Sequence, residues 1–426
     1  MSADAFASDL ARELAPGALE RFLRYVRIDT QSDPSSLTQP TTAKQLDLSR
    51  LLLAELLALG LADAELDEHG YVFATLPATT DAPAPVVGLL AHVDTSDAVS
   101  GTDVKPCLHE RYDGGRIPLP GDLSAVLDQE TAPDLADHIG HTIVTSDGST
   151  LLGADDKAGV AEIMAAVTYL VAHPELPHGP VRIAFTVDEE VGRGVERFDL
   201  EKFGCDVAYT LDGSRAGEIE DETFSAIQVV ITLRGHSVHP GSAKGRLVNP
   251  IKLAARLVEL LPKDTLSPET TDDREGFVHP VRMEAGAEEA QLVFIVRDHD
   301  DAKLAAHVAF LRSLADRVAA EEPRAQISFE QQVQYRNMKA AIDRLPRAVT
   351  AAEEAIRRAG LEPRRAIIRG GTDGARLSEL GLPTPNVFTG GHDYHSCREW
   401  ICVQDMGAAT ATIVHLVQVW AEPEPA

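Results

Sequence analysis

Residues 181–194 read VRIAFTVDEEVGRG, and the first half of that stretch decides the fold. An apolar, β-branched run of this length is a buried strand, and it ends in Asp188, Glu189 and Glu190 before a glycine-bearing turn. The pattern recurs on both sides of it. Residues 85–95, PVVGLLAHVDT, form a buried strand that finishes on His92 and Asp94, and residues 207–213, VAYTLDG, finish on Asp212. Between them, residues 142–173 run from a strand or hairpin through Gly153, Asp155 and Asp156 into a strong helix. Strands alternating with helices predict an α/β fold, a mostly parallel sheet with helices on both faces. Open sheets of that kind take their ligands outside the carboxyl ends of the strands. His92, Asp155, Glu189, Glu190, Asp212 and His395 (the last in GGHDYHS) all fall at such ends.

Working outward, the chain begins with an amphipathic helix around residues 18–28, a turn-rich loop, and a second helix that Gly60 can cap in a left-handed conformation. Residues 101–137, rich in Pro, Gly and Asp, read as an extended surface excursion. After Gly217 the texture changes to strand, helix, strand, helix, strand, which is an α+β unit of small-domain size. From Lys339 the α/β pattern resumes. The expected organisation is a discontinuous catalytic domain, residues 1–221 and 335–426, interrupted by an inserted lid domain, residues 222–334.

At 426 residues two domains are the natural expectation, and 44% hydrophobic with 25% charged residues is the balance of a globular chain. The formal net charge of -28 argues against nucleic acid or an anionic membrane surface as a partner. Residues 1–17 lack the basic-then-apolar layout of a secretion signal, and no run approaches the ~20 apolar residues of a membrane span. The four cysteines show no CxxC spacing, so a reducing, cytoplasmic setting with plain thiols is expected.

The strand-end residues suit a two-metal hydrolase. One carboxylate can span two cations about 3.5–4 Å apart while a neighbouring group takes the proton of the attacking water. Asp155 in GADDKAG is the candidate bridge, and Asp156 is the better helix cap. Asp94 stands two residues from His92, where a carboxylate can accept the second N–H of a metal-bound imidazole. Of the adjacent Glu189 and Glu190, one can bind metal while the other stays free as general base. Asp212 and His395 would complete the two sites. Oxygen and nitrogen donors without cysteine suit two Zn²⁺ per subunit, with Mn²⁺ or Co²⁺ as substitutes. Each element alone is a weak signal; their combination is specific.

In order along the chain, ERFLRYVRIDTQS, HVDT, GADDKAG, FTVDEEVGRG, AYTLDG, VHPGSAKG (238–245), IRGGTDGARLS (368–378) and GLPTPNVFTGGHDYH (381–395) resemble the tripeptide aminopeptidases of the di-zinc exopeptidase and amidohydrolase family. The resemblance covers nearly the whole chain. It implies His92, Asp155 and Asp212 on one zinc, Asp155, Glu190 and His395 on the other, Asp94 orienting His92, and Glu189 as general base. It also implies that His239, on the inserted lid, stabilises the developing oxyanion, from its own chain or from a second copy, so a homodimer stays open as a partner. Arg297 and Arg369 are candidates for gripping the carboxylate of a short peptide, with Gly370 and Gly371 letting backbone approach it. Val187, Ser214 and Ser396 depart from the family pattern without removing a chemical group.

The expected function is a zinc aminotripeptidase acting on short unblocked peptides. Within the family a dipeptidase, carboxypeptidase or N-acyl amino acid deacylase would share the metals and the base, because fold does not decide the substrate. A non-catalytic peptide- or zinc-binding relative is the reading from another class, and the presence of Glu189 with every ligand speaks against it.

Overall fold

In a computed structural model the described residues are 6–423, and they fall into two compact units. The larger takes the described residues up to Asp221, then Met338–Ala366 and those from Thr372 onward; the smaller comprises Glu222–Asn337 and Ile367–Gly371.

An eight-stranded sheet runs in the order Glu65–Leu66, Val72–Leu76, Val181–Thr186, Val87–His92, Val207–Gly213, Asn386–Phe388, Glu218–Thr223, Arg364–Ile368. Its central strands are parallel: Val181–Thr186 with Val87–His92, that strand with Val207–Gly213, and that one with Asn386–Phe388. Every residue of Val87–His92 is buried, so both faces of the pleat are covered, as the sequence predicts. Register then decides what converges. His92 lies beside Thr186, so the turn carrying Glu189 and Glu190 leaves the sheet next to His92. Leu90 lies beside Thr210, which puts Asp212 at the same edge.

The helix Ala154–Ala172 crosses this sheet against Val87–His92 and Val207–Gly213. A Cβ at Gly159 would stand 1.9 Å from the Leu211 carbonyl oxygen, so only glycine lets helix and strand approach this closely. The first helix, Asp9–Tyr25, and the last, Val403–Ala421, pack on it and on each other. Gly407 serves the same purpose there, because an added Cβ would lie 2.4 Å from the Ala11 carbonyl.

Residues 101–137 are not a plain surface excursion. They contribute Cys107–His109 to a four-stranded sheet with Ile143–Thr145, Trp400–Cys402 and Gly391–His392, and they add the hairpin Ile117–Leu119/Asp122–Leu127. A small core of Tyr112, Ile117, Leu127, Leu135 and Trp400 holds them. The polar composition hides this because the apolar residues are few and spread out.

In the smaller unit an antiparallel sheet is ordered Phe277–Ala285, Glu289–Asp298, Ser225–Arg234, Gln326–Tyr335, with helices Pro250–Glu259 and Asp301–Glu321 packed on it. Phe277–Ala285 is a strand that the sequence pattern does not announce. It is an edge strand with Pro280 at a register shift, where a missing N–H costs least. Among the described residues no helix is long and apolar enough to cross a membrane.

Candidate active site

Asp155 joins the two halves of a cluster at the carboxyl edge of the large sheet. Its Oδ1 lies 2.9 Å from His92 Nε2 and its Oδ2 3.0 Å from His395 Nε2. Asp212 Oδ1 stands 3.6 Å from His92 Nε2, and Glu190 Oε2 stands 3.0 Å from His395 Nε2. Glu189 Oε2 is set back, 4.0 Å from His92 Nε2. The cluster is buried on the His92 side and opens at His395, whose side chain is 46% exposed.

Each of these groups is held from behind. The Asp94 backbone carbonyl lies 3.0 Å from His92 Nδ1 and the Asp94 carboxylate 3.4 Å, so the carbonyl is the nearer acceptor for the imidazole N–H. The carboxylate instead accepts the backbone N–H groups of Glu189 at 3.0 Å and Glu190 at 3.2 Å. Asp188, at a positive φ of 63°, accepts the N–H and hydroxyl of Thr41 and the side-chain amide of Gln45. The Glu399 carboxylate accepts N–H groups from Leu152, Gly153 and Asp155, which pins the turn that presents Asp155. Asp156 accepts the N–H of His92 and that of Gly159, in the manner of a helix cap. Asn386 accepts the N–H of Asp212.

The charge balance of the cluster is strongly negative. Among the described residues the ion pairs of Asp94, Asp155, Glu189, Glu190 and Asp212 run to His92 and His395. Burial, with the Asp155 charge adding to it, raises Glu190 to about 7 and Asp212 to about 6. Burial also holds Glu189 well above the ordinary carboxylate range. On His395 burial works against the charge, but hydrogen bonds to Asp155 and Glu190 outweigh it and push the imidazole up to about 11. Packed carboxylates of this kind call for cations.

The donor set fits divalent metal. His92, Asp156 and Asp212 offer atoms within 4.8 Å of one another, as do Asp155, Glu190 and His395. Glu190 Oε1 is buried with no hydrogen-bond partner, a free donor aimed inside the protein. Both oxygens of Asp156 are engaged by backbone N–H groups, whereas Asp155 presents its oxygens to the two imidazoles.

The remaining candidates belong to the smaller unit. His239 is exposed on a loop, its Nδ1 accepting the Gly241 N–H at 3.1 Å. The guanidinium of Arg369 is committed to Thr271 and the Asp273 carbonyl and lies over Phe224 and Phe277. Arg297 donates one N–H to the Arg369 carbonyl, and its Nε has no partner. A Cβ at Gly371 would meet the Tyr335 ring at 2.6 Å, so that glycine serves packing, whereas one at Gly370 would stand in ordinary contact with Ile368 at 3.7 Å and the Arg297 guanidinium at 3.8 Å.

Glu399 is a residue that the sequence does not single out as site-forming, and Asp373, in IRGGTDG, is one that it offers only as a weaker, loop-shaping candidate. Asp373 accepts the Thr186 hydroxyl at 2.6 Å and backs directly onto Gly194, where a Cβ would stand 1.9 Å from it. Glu399 sits in an ordinary-looking polar stretch, and only the pairing of Trp400–Cys402 with Ile143–Thr145 carries it to the Asp155 turn.

Known proteins resemble this chain along nearly its whole length. Residues 138–419 match the model of peptidase family M20/M25/M40. Peptidase T of Geobacillus thermodenitrificans is 47% identical over 95% of this chain and 98% of its own, and peptidase T of Listeria monocytogenes 44% over 95% and 99%. In fold, an aminopeptidase of Bacillus cereus superposes with a TM-score of 0.73 at 24% identity, over 96% of this chain and 99% of that one. A tripeptidase of Staphylococcus aureus gives 0.75 at 22%, over 96% and 98%. The chain therefore belongs to peptidase family M20/M25/M40, in the branch of the peptidase T sequences that it matches along nearly its whole length.

Proposed function

We propose that the protein is a zinc-dependent aminotripeptidase that releases the N-terminal residue of an unblocked tripeptide. The observation that carries this reading is Asp155, with one carboxylate oxygen on each of two imidazoles and Glu189 standing free beside them. His92, Asp155 and Asp212 would hold one Zn²⁺, and Asp155, Glu190 and His395 the other; Mn²⁺ or Co²⁺ could take their place. When bound, such a pair acidifies a water and polarises the scissile carbonyl.

The chain's own residues do the rest. Glu189, kept basic by burial, takes the proton of the attacking water on its carboxylate and returns it to the leaving nitrogen. Asp94 fixes where Glu189 and Glu190 stand through their backbone N–H groups. His239 donates to the developing oxyanion, a role typically worth about 3 kcal/mol in the transition state. The inserted unit acts as a lid and excludes water. Arg297, with its unpartnered Nε, receives the peptide carboxylate, and Gly370, whose Cα faces the Arg297 guanidinium without a side chain between, lets the peptide backbone approach it. A cytoplasmic setting agrees with the four free cysteines.

Zinc-loaded protein assayed on a tripeptide, its N-acetylated form and the matching di- and tetrapeptides tests the reading. Release of the first residue from the free tripeptide alone is the expected result. Preference for the acetylated or shorter compound would make the protein a deacylase or dipeptidase instead.

A further inference from the structure

A second group of metal-binding side chains lies apart from the cluster around Asp155. His138, His141, Cys402 and Asp405 each offer one ligand atom, all within 4.8 Å of one another. His138 ends a short 3-10 turn, Pro133–His138, His141 follows it, and Cys402 and Asp405 flank the start of the last helix. Cys402 is fully buried, and His138 and Asp405 are nearly so.

The four ligand atoms form two close pairs. The Asp134 carbonyl lies 2.7 Å from His138 Nδ1, which fixes a proton there, and Nε2 is hydrogen-bonded to Asp405 Oδ2 at 2.8 Å, so an ion would take the place of the proton that this pair shares. On the other side Cys402 Sγ lies 3.4 Å from His141 Nδ1. In a tetrahedral zinc site with bonds of about 2.0–2.3 Å, ligand atoms stand about 3.3–3.7 Å apart. The Cys402–His141 separation already falls in that range, and the His138–Asp405 pair stands about half an ångström short of it. The charges also close: one thiolate and one carboxylate neutralise a divalent ion, so the filled site buries no net charge. The surroundings are rigid. The Trp400 ring stands edge-on to His138 at 5.1 Å and stacks on His392 at 4.0 Å.

We infer that His138, His141, Cys402 and Asp405 form a structural zinc site, closed by four protein ligands and distinct from the catalytic centre. Cys402 gives up its thiol proton on binding, and the ion supplies structure, not chemistry. It ties the loop after Pro133 to the start of the last helix. It does so three residues after Glu399, the side chain that pins the Asp155 turn.

Cobalt reads this site separately, because only it includes a thiolate. Full-length protein stripped of metal by a chelator is titrated with Co²⁺ and followed for the thiolate-to-cobalt charge-transfer band in the near ultraviolet. The wild type and Cys397→Ser, which lacks the thiol beside His395, show the band; Cys402→Ser loses it and binds one equivalent less by elemental analysis. His141→Gln, a milder change at a partly exposed position, binds cobalt at this site at least tenfold more weakly with an unchanged far-ultraviolet circular dichroism spectrum. That variant carries the test if Cys402→Ser does not fold. Absence of the band from the wild type at saturating Co²⁺ would overturn the inference. So would its persistence in Cys402→Ser, its loss in Cys397→Ser, or unchanged affinity in His141→Gln.

Discussion

The carboxylate of Asp94 accepts the backbone N–H of Glu189 at 3.0 Å, and through its other oxygen that of Glu190 at 3.2 Å. One side chain thus places two adjacent glutamates without touching either carboxylate. An asparagine at this position keeps the shape but offers a single carbonyl oxygen, and its NH₂ faces an N–H. Asp94→Asn should therefore lower kcat about 100-fold, the cost of misplacing a reacting group by roughly 1 Å, while metal content stays at the wild-type level. Steady-state rates on a tripeptide, paired with elemental analysis, separate the two effects.

Glu189 stands 4.0 Å from His92 Nε2, set back from the tighter contacts that Asp155 makes. Glu189→Ala should bind metal as the wild type does and lose about 10²–10⁴ in kcat, the usual contribution of a positioned general base. Retention of most of the activity would remove Glu189 from the mechanism.

Glu399 is the least conspicuous support of the site. It accepts N–H groups from Leu152, Gly153 and Asp155, and it is buried. Glu399→Gln cannot satisfy them all, so metal affinity should fall about 10–100-fold, as it does when the groups behind metal ligands are removed. Competition with a chromogenic chelator measures it; unchanged affinity would mean that the turn holds its shape without this carboxylate.

Gly159 lets the helix Ala154–Ala172 lie on the strand that ends in Asp212. With 1.9 Å available to a Cβ, Gly159→Ala must push helix from strand, at a cost of about 1–3 kcal/mol. A shift of the urea midpoint to lower concentration is expected, with no such shift for Gly17→Ala in the first helix, where the nearest atom to the added carbon is the end of the Arg21 side chain at 3.6 Å and the backbone is helical.

Glu162 is wholly buried and neither of its oxygens has a hydrogen-bond partner, so burial holds its pKa well above the ordinary value. The folded chain then keeps a proton that the unfolded chain releases above about pH 4.5. This residue's contribution to stability is complete below that pH and declines as the pH rises toward the folded-state value. Glu162→Gln removes the ionisation and keeps the volume. Between pH 5 and 9 its denaturation midpoint should fall less steeply than that of the wild type, and parallel curves would show that Glu162 does not titrate with folding.

Much of this architecture is legible in the sequence because buried parallel strands are written as unbroken apolar runs. VGLLAH, VRIAFT and VAYTL each announce a strand and its end, and register does the rest: His92 beside Thr186, Leu90 beside Thr210. What stays hidden depends on contacts between distant segments. Glu399 becomes a support for Asp155 only through a strand pair joining residues 143–145 to 400–402. The Asp94 carboxylate, expected to serve the His92 imidazole, turns mainly to the backbone of Glu189 and Glu190, because the nearer acceptor for the imidazole is the Asp94 carbonyl. Phe277–Ala285 escapes notice because an edge strand needs neither strict alternation nor freedom from proline.

His92 and His395 bracket most of the chain, and the carboxylate between them comes from its first half. A polypeptide that ends ahead of His395, still leaving the ribosome or clipped, owns neither the second imidazole nor the brace behind Asp155. Its hydrolytic centre cannot assemble from the part already made. On the proposed reading such a chain stays inert until the segment that carries His395 and Glu399 has been made and has met Asp155.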